Sequence, residues 1–218
     1  MEGLRQEEKI EQWYWCGVLG EMYGGSTETR FTRDVEQLVD WIRQADRAPD
    51  TVADAFFFAE RLDGLTTRNS AAYKGIYALL IKQGAVDWHY TAAPLSPGRL
   101  DQYGVDVRQI FPKAWFRRGN SQDLPTNSIV NKTPLSYRAT MDMMGAPSSY
   151  LPTLIAACDM RPEWFDDVVA THLIDPEALR ESDYKRFYTD RSRQLQELVQ
   201  RAMGKPTMLR DPSEGNAR

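Results

Sequence analysis

Residues 105–140 concentrate side chains that can meet a phosphate. Arg108, Lys113, Arg117, Arg118, Lys132 and Arg138 stand there against two acids, Asp106 and Asp123. The wider chain has the opposite balance: residues 1–64 carry 14 acids against 7 bases, and the net charge is −4. A basic centre in an acidic chain is the footprint of a phosphate-facing surface. The bland alternative is a solvated face with a few structural arginines. The stretch reads as strand, loop and then helix, an order suited to holding one divalent cation and aiming a water at a phosphodiester. That chemistry needs a general base on the first strand, usually histidine because it titrates near neutrality. It needs an amide on the loop to orient the base. It needs a histidine or asparagine ligand on the helix for the cation that neutralises charge at the leaving oxygen.

The elements around this stretch are mostly helical. Ile10, Trp13, Tyr14, Gly17, Val18 and Met22 recur at helical spacing over residues 8–22, and Gly24-Gly25 stop the pattern. Thr32 reads as the N-cap of the next helix, with Asp34 in its first turn and Val35, Leu38, Val39, Trp41 and Ile42 as its apolar stripe. "DAFFFAERL" fits a short buried helix. "RNSAAYKGIYALLIKQG" fits another, capped by Asn69 or Ser70 and ended by Gly84. "AVDWHY" reads as a strand, "TAAPLSPGRLDQYG" as a loop and "VDVRQIF" as a second strand. "RRGNSQDLPTN" is a loop and "SIVNKTPLS" a short extended segment. Ser136 then caps a helix closed by Gly145. Pro147, Pro162 and Pro176 each open a helix, and a last one runs over 182–203 to Gly204 and Pro206. The expected fold is mainly α: one helical domain over 1–206 with an inserted ββα unit at about 103–145, and a polar tail over 207–218.

Composition narrows the class. At 218 residues, 42% hydrophobic and 11% aromatic, the chain can build a real core. No apolar run approaches the ~20 residues that span a bilayer. The start, "MEGLRQEEKIEQ", is too acidic for a secretory signal, so a cytoplasmic location is expected. Cys16 and Cys158 lie in apolar helical settings and are expected as buried free thiols. "GEMYGGS" has three glycines but no following Lys-Ser or Lys-Thr, so it is a turn rather than a phosphate cradle.

The strings "KIEQWYWCGVLGEMYGGSTETRF", "TVADAFFFAERL", "RNSAAYKGIYALL", "VDVRQIFPKAW", "SIVNKTPLS", "APSSYL" and "THLIDPEALR" carry a resemblance. Over roughly residues 9–206 the chain resembles the C-terminal half of GmrSD-type proteins, modification-dependent restriction and anti-phage defence nucleases of bacteria. These join a ParB-like nucleotide-hydrolysing domain to a His-Me-finger (HNH-like) nuclease. Their strand motif is like D-I-H-H-I-F-P, and this chain has Asp106-Val107-Arg108-Gln109-Ile110-Phe111-Pro112. The resemblance puts Gln109 at the general-base position, where a neutral amide has no usable basicity. It puts Arg108 where an imidazole would stand, a fixed charge that suits a phosphate and repels a cation. Asn131 keeps the loop amide, with Lys132 beside it. Met141 replaces the helix asparagine with a thioether, which hard Mg²⁺ disfavours. The DGQQR-like motif of the relatives' N-terminal domain is absent, so nucleotide hydrolysis by this chain alone is not expected.

The expected function is therefore a catalytically inactive nuclease homologue. It would bind DNA through Arg108, Lys113, Arg117, Arg118, Lys132 and Arg138, or dock on a separate NTPase-type or nuclease partner, with no membrane and no cofactor. One alternative is an active endonuclease with rearranged ligands, using Mg²⁺ or Mn²⁺ with Asp106, Asn131, His89 or Asp142. Another is a purely structural interaction module. His89 reads chiefly as an ordinary strand residue and His172 as a helix-packing or capping one.

Overall fold

Proline, glycine and hydroxyl caps set many of the element boundaries in the computed structural model, which describes residues 4–25, 27–43, 47–117 and 123–209. The chain forms two compact units. One comprises Met1–Arg61, Thr67–Ile76 and Gln196–Arg218, and the other Leu62–Thr66 and Tyr77–Leu195.

In the first unit, α1 (Gln6–Leu19) begins where the Arg5 backbone N–H and guanidinium both donate to the Glu8 carboxylate, and it buries Trp15, Cys16 and Leu19. α2 (Thr27–Arg43) starts five residues before the expected cap. Thr32 lies inside it and bonds back to the Glu28 carbonyl, as an interior threonine can. Asp34 is not a first-turn surface residue. It is fully buried, with its Oδ2 accepting from the Tyr23 and Thr51 hydroxyls at 2.5 Å each. Trp41 of the expected stripe is buried, while Val35 and Val39 are exposed.

α3 (Asp50–Asp54) stops before the phenylalanines, so "DAFFFAERL" is not one helix. Ala55 is extended, residues 56–57 take no regular secondary structure, and Phe58 forms a parallel bridge with Met208. The competing partner is the C-terminal segment: Ala59 N–H donates to Met208 O, and Met208 N–H donates to Phe57 O. Lys205 Nζ takes the carbonyls of Val52, Ala53 and Ala55 that a longer helix would have used. Met208, expected in a polar tail, is thus part of the unit. α4 (Arg61–Gly64) begins at the last residue of the Met1–Arg61 segment, and its other residues belong to the second unit. α5 (Ala71–Lys82) starts with Ser70 Oγ accepting from Tyr73 N–H, and Gly84 turns the chain at φ +97°.

In the second unit the expected strand "AVDWHY" does not form. Its backbone is satisfied by side chains: Asp87 Oδ1 accepts from His89 and Tyr90 N–H, and Val86 N–H donates to Thr171 Oγ1. An Asx turn of this kind offers the backbone an alternative to a ladder. The expected Pro/Gly loop contains a helix, α6 (Pro97–Gln102), with Pro97 at its first position. β1 (Asp106–Gln109) then pairs with β2 (Lys132–Leu135), antiparallel, with Arg108 opposite Thr133 and Gln109 opposite Lys132. α7 (Lys113–Trp115) and a 3-10 turn (Ile129–Asn131) lie between them. α8 (Tyr137–Met141) follows β2, with Ser136 Oγ accepting from Ala139 N–H.

α9 (Pro147–Ala157), α10 (Pro162–Ala170) and α11 (Pro176–Arg180) each open on proline, and α12 (Tyr184–Met203) closes at Gly204, φ +62°. Phe111 packs among Trp115, Tyr184 and Phe187 at centroid distances of 5.0, 5.0 and 4.9 Å. Burial of such rings contributes roughly 1.5–3 kcal/mol each. The described chain is mainly helical with one small two-stranded sheet. Among the described residues, no helix is long and apolar enough to cross a membrane. Cys16 and Cys158 are free thiols, the first buried and the second partly exposed.

Candidate nucleic-acid interface

The hairpin β1–β2 brings two of the motif positions together. Asn131 is fully buried: its Oδ1 accepts from Phe111 N–H at 2.9 Å, and its Nδ2 donates to Phe111 O at 3.0 Å and Thr126 O at 2.8 Å. Gln109 Nε2 approaches the same Thr126 carbonyl at 3.4 Å, and Asn127 Oδ1 at 3.4 Å. Positions 109 and 131 therefore converge on one carbonyl. Asn131 holds the turn that follows β1 rather than the side chain at 109. Asp106 Oδ1 accepts from Val107 N–H at 2.6 Å, a contact between neighbouring residues of β1. Met141 is half exposed, and its sulfur lies 3.8 Å from Arg138 Nη1.

The basic residues divide into committed and available groups. Lys132 is 8% exposed, and its ammonium donates to Thr66 O at 2.7 Å. Burial, and then the nearby Lys113 charge, lower its pKa. A phosphate contact from Lys132 would have to break a buried bond. Arg138 makes a loose ion pair with Asp142 at 3.7 Å, its side chain 43% exposed. Lys113 and Arg117 are exposed. Arg108 is partly buried, and its Nε finds no hydrogen-bond partner among the described residues. That nitrogen is shut off from solvent, so it presents no surface to a ligand. Arg118 lies outside the described residues.

His172 does not sit as a free base, because both of its ring nitrogens are committed. His172 is fully buried. Its Nε2–H donates to Val86 O, so Nδ1 accepts from the Thr133 hydroxyl, each at 2.6 Å. Burial is the main reason its pKa falls to about 4, helped by the Arg191 charge and opposed by the Val86 bond and Asp87. A hydroxyl on an imidazole nitrogen has the outline of an activated nucleophile. Here both groups are sealed and the second nitrogen is committed, so the pair is a strut. His89 is partly buried, its ring edge-on to Tyr90 at 4.8 Å and its Nδ1 without a partner among the described residues. Among the described residues no group of three or more His, Cys, Asp or Glu side chains could hold a metal ion.

The polar residues that organise this unit are ones the sequence reading passed over. Asp87 accepts from Ser136 N–H at 2.6 Å and Ser136 Oγ at 2.9 Å, tying the 86–90 turn to the start of α8. Arg191, also buried, donates to the carbonyls of Val130, Lys132 and His172. Burial pulls its pKa down to about 9. A signal existed for Arg191. It occupies a core position in the α12 stripe of Tyr184, Phe187, Tyr188, Leu195 and Leu198. Asp87 gives no such signal, because a lone aspartate before an aromatic is common in turns.

Comparison with known proteins adds one relative. The chain is 27% identical over 153 residues to "Uncharacterized protein MJ0686" of Methanocaldococcus jannaschii, covering 68% of this chain and 25% of that protein. It therefore spans about a quarter of the length of the curated relative it matches. No family model matches the chain, and no solved structure matches it.

Proposed function

We propose that this chain is a nuclease-like scaffold that binds DNA phosphate without cutting it, as an accessory protein in a bacterial defence system of the GmrSD type. The observation that carries the reading is the side chain at position 109. Where hydrolysis needs a base, a neutral amide faces Thr126 O and Asn127 Oδ1. The phosphate contacts are assigned to Arg108, Lys113, Arg117 and Arg138, with Arg118 following by sequence. The defence role rests on the resemblance alone.

Two measurements test this. Duplex DNA binding followed across salt concentration gives log affinity falling with log salt at a slope of about −3 to −5, roughly 0.9 per phosphate neutralised. Incubation with Mg²⁺ or Mn²⁺ leaves that DNA uncut. Cleavage that Asp106→Ala or His89→Ala abolishes would establish the rearranged-ligand endonuclease instead. Absence of binding at low salt would remove the DNA role. The remaining reading is partner docking, which has its own support. Phe31, Val35 and Val39 form an exposed apolar row at i, i+4 and i+8 along α2.

A further inference from the structure

The same region carries rings that phosphate binding does not use. Tyr137, the first residue of α8, is 63% exposed. It lies beside the end of the hairpin, where a Cβ placed on Gly104 would come 3.9 Å from its own Cβ. The neighbouring Tyr103 is stacked on Tyr90 at 4.1 Å and 19° between planes. Tyr90 is itself 37% exposed, and Met141, one helical turn beyond Tyr137, is half exposed. Grouped exposed rings, unlike singly scattered ones, are characteristic of surfaces that bind a partner.

Resting on the DNA-binding reading above, we propose that Tyr137, with the Tyr90–Tyr103 stack beside it, is a platform for unpaired nucleobases, so that the preferred ligand is single-stranded DNA. Two features choose this occupant. Arg138 follows Tyr137 in α8 with its side chain 43% exposed, and the partly buried Arg108 lies on β1, so cationic residues accompany the rings. Tyr137 is mostly exposed, and the bases of an intact duplex have no free face to stack on it. Their faces are already stacked and only their edges reach the grooves. An unpaired strand offers π-faces and backbone charge together, the combination that sequence-tolerant single-strand binders use.

Fluorescence anisotropy at low salt with labelled oligothymidylate of about 15 nucleotides, and with a duplex of equal length, tests the assignment. Wild type binds the single strand more tightly than the duplex. Tyr137→Leu keeps an apolar side chain but loses the ring, and weakens single-strand binding about tenfold while leaving duplex binding unchanged. Tyr137→Trp retains the affinity. Arg108→Ala weakens both ligands. Tyr137 is exposed, so neither of its substitutions should disturb folding, and circular dichroism checks that. If duplex is bound but Tyr137→Leu leaves the single strand unaffected, the platform is refuted and the DNA reading stands. If neither ligand binds, both fall. Self-association that depends on Tyr137 in sedimentation, without DNA binding, assigns the surface to a second copy and overturns the proposal.

Discussion

Lowering the pH from 7 to 5 should destabilise this protein through one buried imidazole. His172 is neutral in the fold because it is sealed from water and lies near Arg191, and its pKa falls to about 4 from an ordinary 6.5. In the unfolded chain it is free to take a proton below pH 6.5. A depressed histidine pKa has no effect where both states are neutral, above pH 7. Stability is lost as pH falls through the unfolded value, until the native state also protonates near pH 4. Each pKa unit corresponds to about 1.4 kcal/mol, so the full loss approaches about 3 kcal/mol, with about 2 kcal/mol of it developed by pH 5. The carboxylates of Glu8, Glu21, Asp50 and Glu177 are also held below their ordinary values. Their contributions are lost mainly below about pH 4.5, so the pH 7–5 window isolates the histidine. Urea unfolding at the two pH values measures the loss, and His172→Gln should flatten it, His89 being common to both proteins. NMR titration of the wild-type imidazoles provides a check that needs no variant. A His172 midpoint near 6.5, or an undiminished loss in His172→Gln, would refute the sealed-strut reasoning.

Two further outcomes test the packing. Asn131→Ala removes both bonds to the Phe111 peptide and the one to Thr126 O. It should destabilise by about 2–4 kcal/mol in denaturant unfolding, because buried partners are left unmet. A residue that merely oriented a missing base would cost little. Gly75→Ala in α5 would set a Cβ 2.8 Å from Val18 Cγ1 and 3.1 Å from Leu19 Cδ2. It should lower stability by about 1–3 kcal/mol despite alanine's better helix propensity, and a higher melting temperature would contradict that close approach.

The readable features were those with local causes. Pro147, Pro162 and Pro176 announced three helix starts, Ser136 announced α8, and the apolar spacing of α12 announced its buried face. The strand at Asp106–Gln109 followed from its alternation. Tertiary structure decided the rest wherever a distant group outbid a local preference. Residues 55–58 stayed out of the helix because Met208 and Lys205 take their backbone and the carbonyls before them. "AVDWHY" became a turn because Asp87, Thr171 and His172 satisfy it. Thr32 lost its expected cap because α2 extends upstream, and Lys132 left the phosphate set because Thr66 O holds its ammonium. The replacement of the expected histidines by Arg108 and Gln109 is written in the sequence. Whether a given cation faces water or a buried carbonyl is not, because a charge carries no local mark of its surroundings. Desolvation is a property of everything packed around a group, and only the folded chain assembles that.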